Sequence, residues 1–249
     1  MHESSLYERN SFITLTYDDE HLPPGNTLVL KHFQDFMKRL RKQFGTNIRY
    51  LHCGEYGEKF GRPHYHALIF NFDFDDKEPF FVKNGHTNYT SDTLQALWPF
   101  GHSVVGELTY ESAAYVSRYT TKKNLRNYRL MDNPEAAIRG QLPGETRKIN
   151  EYITMSRRPG LGRGWLEKFQ QDVYPDDYVL KDGKKLPPPR YYDSVFELDN
   201  PEQFEKIKRA RMHKAKQNAC ESSPERLSVK ERLQYKRLER LQRDLTNDS

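Results

Sequence analysis

His64 and His66 stand one residue apart in the stretch GRPHYHALIF, at the entrance to an apolar run. Side chains at i and i+2 of a strand share a face, so the two imidazoles project together, followed on that face by Leu68 and Phe70. Two protonated imidazoles on one face would repel each other. Two neutral ones can share a divalent metal. Nine histidines in 249 residues make an HxH pattern common by chance, so the pair decides nothing by itself.

A third ligand has to come from the neighbouring segment. In NIRYLHCGEY, Arg49, Leu51, Cys53 and Glu55 alternate onto one face, and Glu55 lies nearest the point where His64 begins the return strand. Glu55 is therefore the expected carboxylate ligand, with Glu58 in the following loop as its competitor. Two histidines and one carboxylate leave coordination positions open for a substrate. A zinc site built with Cys53 or His52 is the alternative, though a closed site would leave no room for chemistry.

The second chemical group is a tyrosine pair. Tyr115 and Tyr119 in AAYVSRYTTKK lie at i and i+4, on one face of a helix, with Arg118 and Lys122 each three residues beyond a phenol. A free phenol, with pKa about 10, is a poor nucleophile at neutral pH. A metal that polarises a phosphate, with a cation nearby, makes phenolate attack feasible. Two phenols beside one metal could carry out two successive transesterifications, conserving a phosphodiester bond as a protein–DNA bond. The same spacing would equally suit plain core packing.

The segments that must position these groups follow from periodicity and punctuation. SFITLTY (Ser11–Tyr17) is rich in β-branched and aromatic residues and predicts a strand that ends at the turn cluster DDEHLPPGN. In LKHFQDFMKRLRKQFG, residues Phe33, Phe36, Met37, Leu40 and Phe44 are spaced for an amphipathic helix stopped at Gly45. Asn47–Tyr56 and His64–Phe72 predict an antiparallel hairpin. A polar insertion follows, then a short helix in SDTLQALWPFG, a strand in HSVVGELT, and a helix over Glu111–Lys123 with Thr109 as its N-cap. The order β-α-β-β-α-β-α matches split β-α-β sheets. Further on, INEYITMSRRPGLGRGWLEKF predicts a strand, a basic glycine-rich turn and a helix, and DYVLKDGKKLPPPRYYD a hairpin with a proline-blocked edge.

Charge is distributed unevenly. From Pro201 onward there are 13 Lys and Arg against 8 Asp and Glu, whereas the first 200 residues hold 27 of each sign. The formal net charge of +5 thus lies in a tail whose basic residues recur at helical spacing, suited either to nucleic-acid phosphates or to plain solvation. Mean hydropathy is −0.96, no run of about 18 apolar residues occurs, and the two cysteines lie far apart. Neither a membrane span nor a disulfide framework is expected, and a reducing cytoplasm fits.

Taken in order, FITLTY, GEYGEKFGRPHYHALIF and AAYVSRYTTKK resemble the three motifs of HUH endonucleases that initiate rolling-circle replication. The resemblance is nearest to the initiators of small icosahedral single-stranded-DNA phages, the microvirus and gokushovirus type. It covers Asn10 to about Lys123, with SRRPGLGRGW and PPPRYYD similar to later family segments. It implies an α+β, HUH/ferredoxin-like fold with a central antiparallel sheet carrying the HxH motif, and a basic helical C-terminal tail. The expected division is 1–125 for the endonuclease core, 126–200 for an accessory region, and 201–249 for the tail.

The resemblance also implies roles. His64 and His66, with Glu55, would hold Mg²⁺ or Mn²⁺; Tyr115 and Tyr119 would be nucleophiles; and Lys122 would orient them or stabilise charge. Arg118, Lys123, Arg157, Arg158 and Arg163 are candidate phosphate contacts. The implied activity is nicking and rejoining of single-stranded DNA at a replication origin in a bacterial host's cytoplasm, with a host helicase and replication proteins as further partners. A plasmid or transposon nickase or relaxase shares most of these features. A mononuclear metal oxygenase or hydrolase and a non-catalytic single-strand-binding sheet are the readings in which the tyrosines only pack.

Overall fold

In the computed structural model, residues 1–57, 61–83, 85–117 and 148–239 are described. Two compact units divide the chain between Leu161 and Gly162. The first is built on a seven-stranded sheet, β4-β5-β6-β1-β3-β2-β7, in which every pairing is antiparallel. Its strands are β1 (Asn10–Tyr17), β2 (Arg49–Tyr56), β3 (Pro63–Phe70), β4 (Glu78–Lys83), β5 (His86–Thr90), β6 (Gly101–Gly106) and β7 (Tyr152–Met155). The fold is α+β and HUH/ferredoxin-like, as the sequence predicts.

β3 lies inside the sheet, between β1 and β2, and is buried along its whole length, because both sheet faces are covered. On one face, Tyr65, Ala67 and Ile69 join a large core with Phe33, Phe36, Met37 and Leu40 of α1 (Leu30–Phe44) and Leu94 and Leu97 of α2 (Asp92–Leu97). On the other, Leu68 and Phe70 pack with Phe12, Cys53, Tyr115 and Val116. The last two belong to α3, helical over residues 110–117. Thr109 caps it as expected: its Oγ1 accepts from Ser112 N while Ser112 Oγ accepts from Thr109 N, a reciprocal capping box.

The polar insertion is where the sequence reading fell short. It forms the β4–β5 hairpin at the sheet edge, with a β-bulge between Pro79 and Phe81. The bulge breaks the alternation that would have marked the strand, and the exposure of Phe80 and Val82 removes the usual burial pattern.

β6 enters the sheet through Gly101, whose φ is +145°. A Cβ there would lie 2.5 Å from Thr16 O and closer still to Asp18 N, so only glycine lets β6 begin against the end of β1.

The second unit contains α4 (Arg163–Val173), the hairpin β8 (Val179–Lys181) and β9 (Lys184–Leu186), α5 (Arg190–Asp199), α6 (Pro201–Gln217) and α7 (Pro224–Glu239). Leu166, Val173, Tyr174, Tyr192, Val195, Phe196, Phe204 and Ile207 form its core. Arg211 is clamped between Asp177 and Asp193, and Tyr174 donates to Asp193. The first half of the basic tail is thus anchored on an apolar core, while the described side chains of α7 are exposed apart from the half-buried Val229.

Candidate metal and nucleophile site

Register across three strands assembles the site. Glu55 on β2 lies opposite His64, Cys53 lies opposite His66, and on the other flank Thr16 and Thr14 of β1 face His64 and His66. Directly paired residues share a face in an antiparallel sheet, so all six side chains emerge on one side.

Each histidine is gripped through Nδ1. His66 Nδ1 is 3.0 Å from Thr14 Oγ1, and His64 Nδ1 is 3.1 Å from Thr16 Oγ1. A hydroxyl can donate or accept, so it suits either tautomer. When Nδ1–H donates to threonine, Nε2 is left with the lone pair a metal needs. The His66 ring is further fixed by parallel stacking on Phe12, centroids 5.7 Å apart.

His66 Nε2 lies 2.8 Å from Glu55 Oε1, and the Tyr115 hydroxyl donates to that same oxygen across 2.6 Å. Tyr115 also meets the His66 ring edge-on at 5.1 Å. Glu55 is only 3% exposed, His66 1% and Tyr115 2%. A carboxylate so far from water needs donors close by, and Tyr115 and His66 supply them.

His64, His66, Glu55 and Tyr115 are therefore brought together. Two oxygens or nitrogens bound side by side on an octahedral ion with bonds of about 2.1 Å lie roughly 3 Å apart, close to the His66–Glu55 separation. The His66–Glu55 pair thus has the spacing of two neighbouring ligands of a divalent ion, and His64, paired across the strands with Glu55, offers a further imidazole on the same face. Among the described residues no three His, Cys, Asp or Glu side chains already enclose one. A metal would have to replace the hydrogen bond between His66 and Glu55, displacing its proton.

The competing ligands separate by face. His52 points to the opposite side, where it lies flat on Phe33 at 3.4 Å and reaches Thr154 through Nδ1. Burial pushes its pKa well below the usual histidine value. Cys53 does sit on the site face, wholly buried. Glu58, Arg118, Tyr119, Lys122 and Lys123 lie outside the described residues.

Two of the arginine candidates lie toward the far end of β2 from Glu55. Arg157 and Arg158 are exposed in the turn after β7, next to Pro159, whose carbonyl accepts from Arg49 at the far end of β2. Six residues of strand separate Arg49 from Glu55, about 20 Å. Arg163 belongs to the second unit and is paired with Glu167 and Asp199.

Thr14 and Thr16 escaped the sequence reading. Their i, i+2 spacing mirrors that of the histidines, but the register that pairs the two sets is a tertiary fact. His102 was also passed over; it lies opposite Thr16 on β6, exposed on the same face.

Residues 10–124 match the family model for the ORF2-type replication-associated protein, a span running from β1 through α3 and containing every residue of the site. The replication-associated protein VP4 of Bdellovibrio phage phiMH2K is 35% identical over 213 residues, covering 82% of this chain and 62% of the relative. Over most of its length the chain is similar to these phage replication-associated proteins.

Replication-associated protein ORF2 of Spiroplasma virus 4 is 36% identical over 212 residues, 79% of this chain and 61% of the relative. Replication-associated protein ORF4 of Chlamydia phage 1 is 38% identical over 130 residues, 49% of this chain and 32% of the relative. The chain thus spans about three fifths of the length of the first two relatives. No solved structure matches it. The microvirus-type resemblance drawn from the three motifs agrees with these relatives.

Proposed function

We propose that this protein is a metal-dependent endonuclease that nicks and rejoins single-stranded DNA at a replication origin, initiating rolling-circle replication. The observation that carries this reading is the contact of the Tyr115 hydroxyl with Glu55, on the oxygen shared with His66. A phenol held by a carboxylate beside a histidine pair has a nucleophile, a proton acceptor and a metal-ligand set within one hydrogen-bonded cluster.

His64, His66 and Glu55 would hold Mg²⁺ or Mn²⁺, which supplies polarisation of the scissile phosphate when bound. Imidazole donors favour Mn²⁺ in affinity. Tyr115 Oη forms the bond to phosphorus as the bond to the 3′-oxygen breaks. The phenol proton passes to Glu55, and the departing 3′-oxygen takes up a proton from the site, so none is consumed. The products are a 5′-phosphotyrosine and a free 3′-hydroxyl able to prime synthesis. Tyr119, four residues on, takes the second transfer that releases a circle, with Lys122 stabilising charge. Arg118, Lys123, Arg157, Arg158 and Arg163 contribute phosphate contacts, and the basic tail adds salt-sensitive affinity.

The protein would work in the cytoplasm of a bacterial host with a host helicase. No helix among the described residues is long and apolar enough to cross a membrane. The test is incubation of the full chain with labelled single-stranded DNA carrying family origin sequences, alongside a randomised pool, with Mn²⁺ or with EDTA. Cleavage with Mn²⁺ that stops with EDTA supports the reading. Firm DNA binding without cleavage in either would replace it with a binding module.

A further inference from the structure

The β4–β5 hairpin carries an aromatic pair that ordinary strand geometry would not allow. Phe80 and Phe81 are neighbours in sequence and should point to opposite faces of β4. The bulge between Pro79 and Phe81 interrupts that alternation. Their ring centroids lie 5.3 Å apart with planes inclined by 71°, so both rings project on the same side. Phe80 is 64% exposed, and Phe81 is partly so.

That side is the face of the candidate site. Phe81 lies opposite Asn88, and the neighbouring Tyr89 lies opposite Val105, which sets Asn88 beside Gly106. A Cβ on Gly106 would meet both Asn88 Oδ1, at 3.5 Å, and Phe12, at 3.3 Å. Phe12 is the residue stacked on His66. Tyr89 and Val105 instead pack into the core under the opposite face.

We propose that Phe80 and Phe81 form a base-stacking platform that holds single-stranded DNA on the sheet face leading to Tyr115. The proposal deepens, and rests on, the reading of the chain as acting on single-stranded DNA. Exposed apolar rings contribute little to folding, whereas nucleobases of any sequence present a π-face to stack on them. Four strand spacings of about 4.8 Å separate β4 from the histidine strand, roughly 19 Å. At about 3.4 Å per stacked nucleotide that is a span of about five or six bases.

Basic groups line the same face. Lys83 and His86 pair on the hairpin beyond the rings, and His102 on β6 stands between the platform and His64. Glu78, opposite Thr90, is the acidic residue of β4 on this face. Val82, also exposed, alternates to the other face and takes no part.

The experiment measures anisotropy of a fluorescent single-stranded oligonucleotide titrated with the full chain in EDTA, for wild type, Phe80→Ala, Phe80→Trp and Phe81→Ala. Losing one stacked base should weaken Kd roughly 5- to 100-fold in Phe80→Ala, with tryptophan restoring it. A scan of abasic substitutions should find a position where the missing base weakens wild type but costs Phe80→Ala nothing further, the signature of a direct pair. Because Phe80 is exposed, its truncation leaves the core intact.

Wild-type affinity in Phe80→Ala, with no such position, would overturn the platform. So would a change from dimer to monomer on sedimentation with DNA binding unaltered, which would mark a contact between copies. The nicking assay run in parallel separates the two ideas. Phe80-dependent binding without nicking keeps the platform and removes the nuclease, and nicking with Phe80-independent binding does the reverse.

Discussion

The Tyr115 hydroxyl and the Glu55 carboxylate are joined by a 2.6 Å hydrogen bond although they stand 60 residues apart, one on the helix over the sheet and the other on β2. The helix carries Tyr115 there because Val116 and Ala113 pack with Phe12, Leu68 and Cys53. The phenol is thus delivered to the histidine pair by an apolar contact, and its chemistry depends on that packing.

Thr14 and Thr16 should set the metal affinity without touching the metal. Thr14→Val and Thr16→Val keep shape and β-branching but remove the hydroxyl that meets each Nδ1. Mn²⁺ affinity, read from the free-ion EPR signal, should fall about 10- to 100-fold in each valine variant, and Thr→Ser should recover most of it. Valine variants that bind Mn²⁺ like wild type would show that the threonines do not orient the imidazoles.

His52 should make the sheet-bearing unit sensitive to acid. It is buried against Phe33 and its Nε2 has no hydrogen-bond partner among the described residues, so burial holds its folded pKa well below the ordinary histidine value of 6.5. The unfolded chain therefore takes up this proton first. The stabilising contribution is whole above about pH 6.5 and is lost as pH falls below it, with a slope approaching about 1.4 kcal/mol per pH unit. Urea unfolding between about pH 7 and about pH 5 should show a shallower decline for His52→Gln than for wild type. Parallel profiles would mean that His52 does not carry this dependence.

Gly101→Ala should be costly far beyond its size. The methyl would collide with backbone at Thr16 and Asp18, at a φ that alanine rarely adopts. A loss on the order of 3 kcal/mol is expected in chemical denaturation, with β6 detached from β1. A variant as stable as wild type would mean that this crossing has more room than the structure gives it.

How much of this was legible depended on the range of the interaction. The facing of His64 and His66, the partition of Tyr65, Ala67 and Ile69 to the opposite core, and α1 all follow from local periodicity. Glu55 was reachable because a hairpin with a short loop brings its neighbouring strand ends together. The threonine grip was not, since β1 is separated from β3 by a helix and a strand, and pattern alone does not set their register. The β4–β5 hairpin was hidden for a different reason: a bulged, exposed edge strand lacks the alternating burial by which strands are recognised.

The most direct measurement is the mass of the covalent product. After reaction of the full chain with single-stranded origin DNA and Mn²⁺, protease and nuclease digestion followed by tandem mass spectrometry locates any nucleotide-linked peptide. The account predicts a phosphodiester adduct on Tyr115, absent with EDTA and in Tyr115→Phe, and strongly reduced in Glu55→Gln. Cleaved DNA with no tyrosine adduct would assign the attack to water and contradict the central claim.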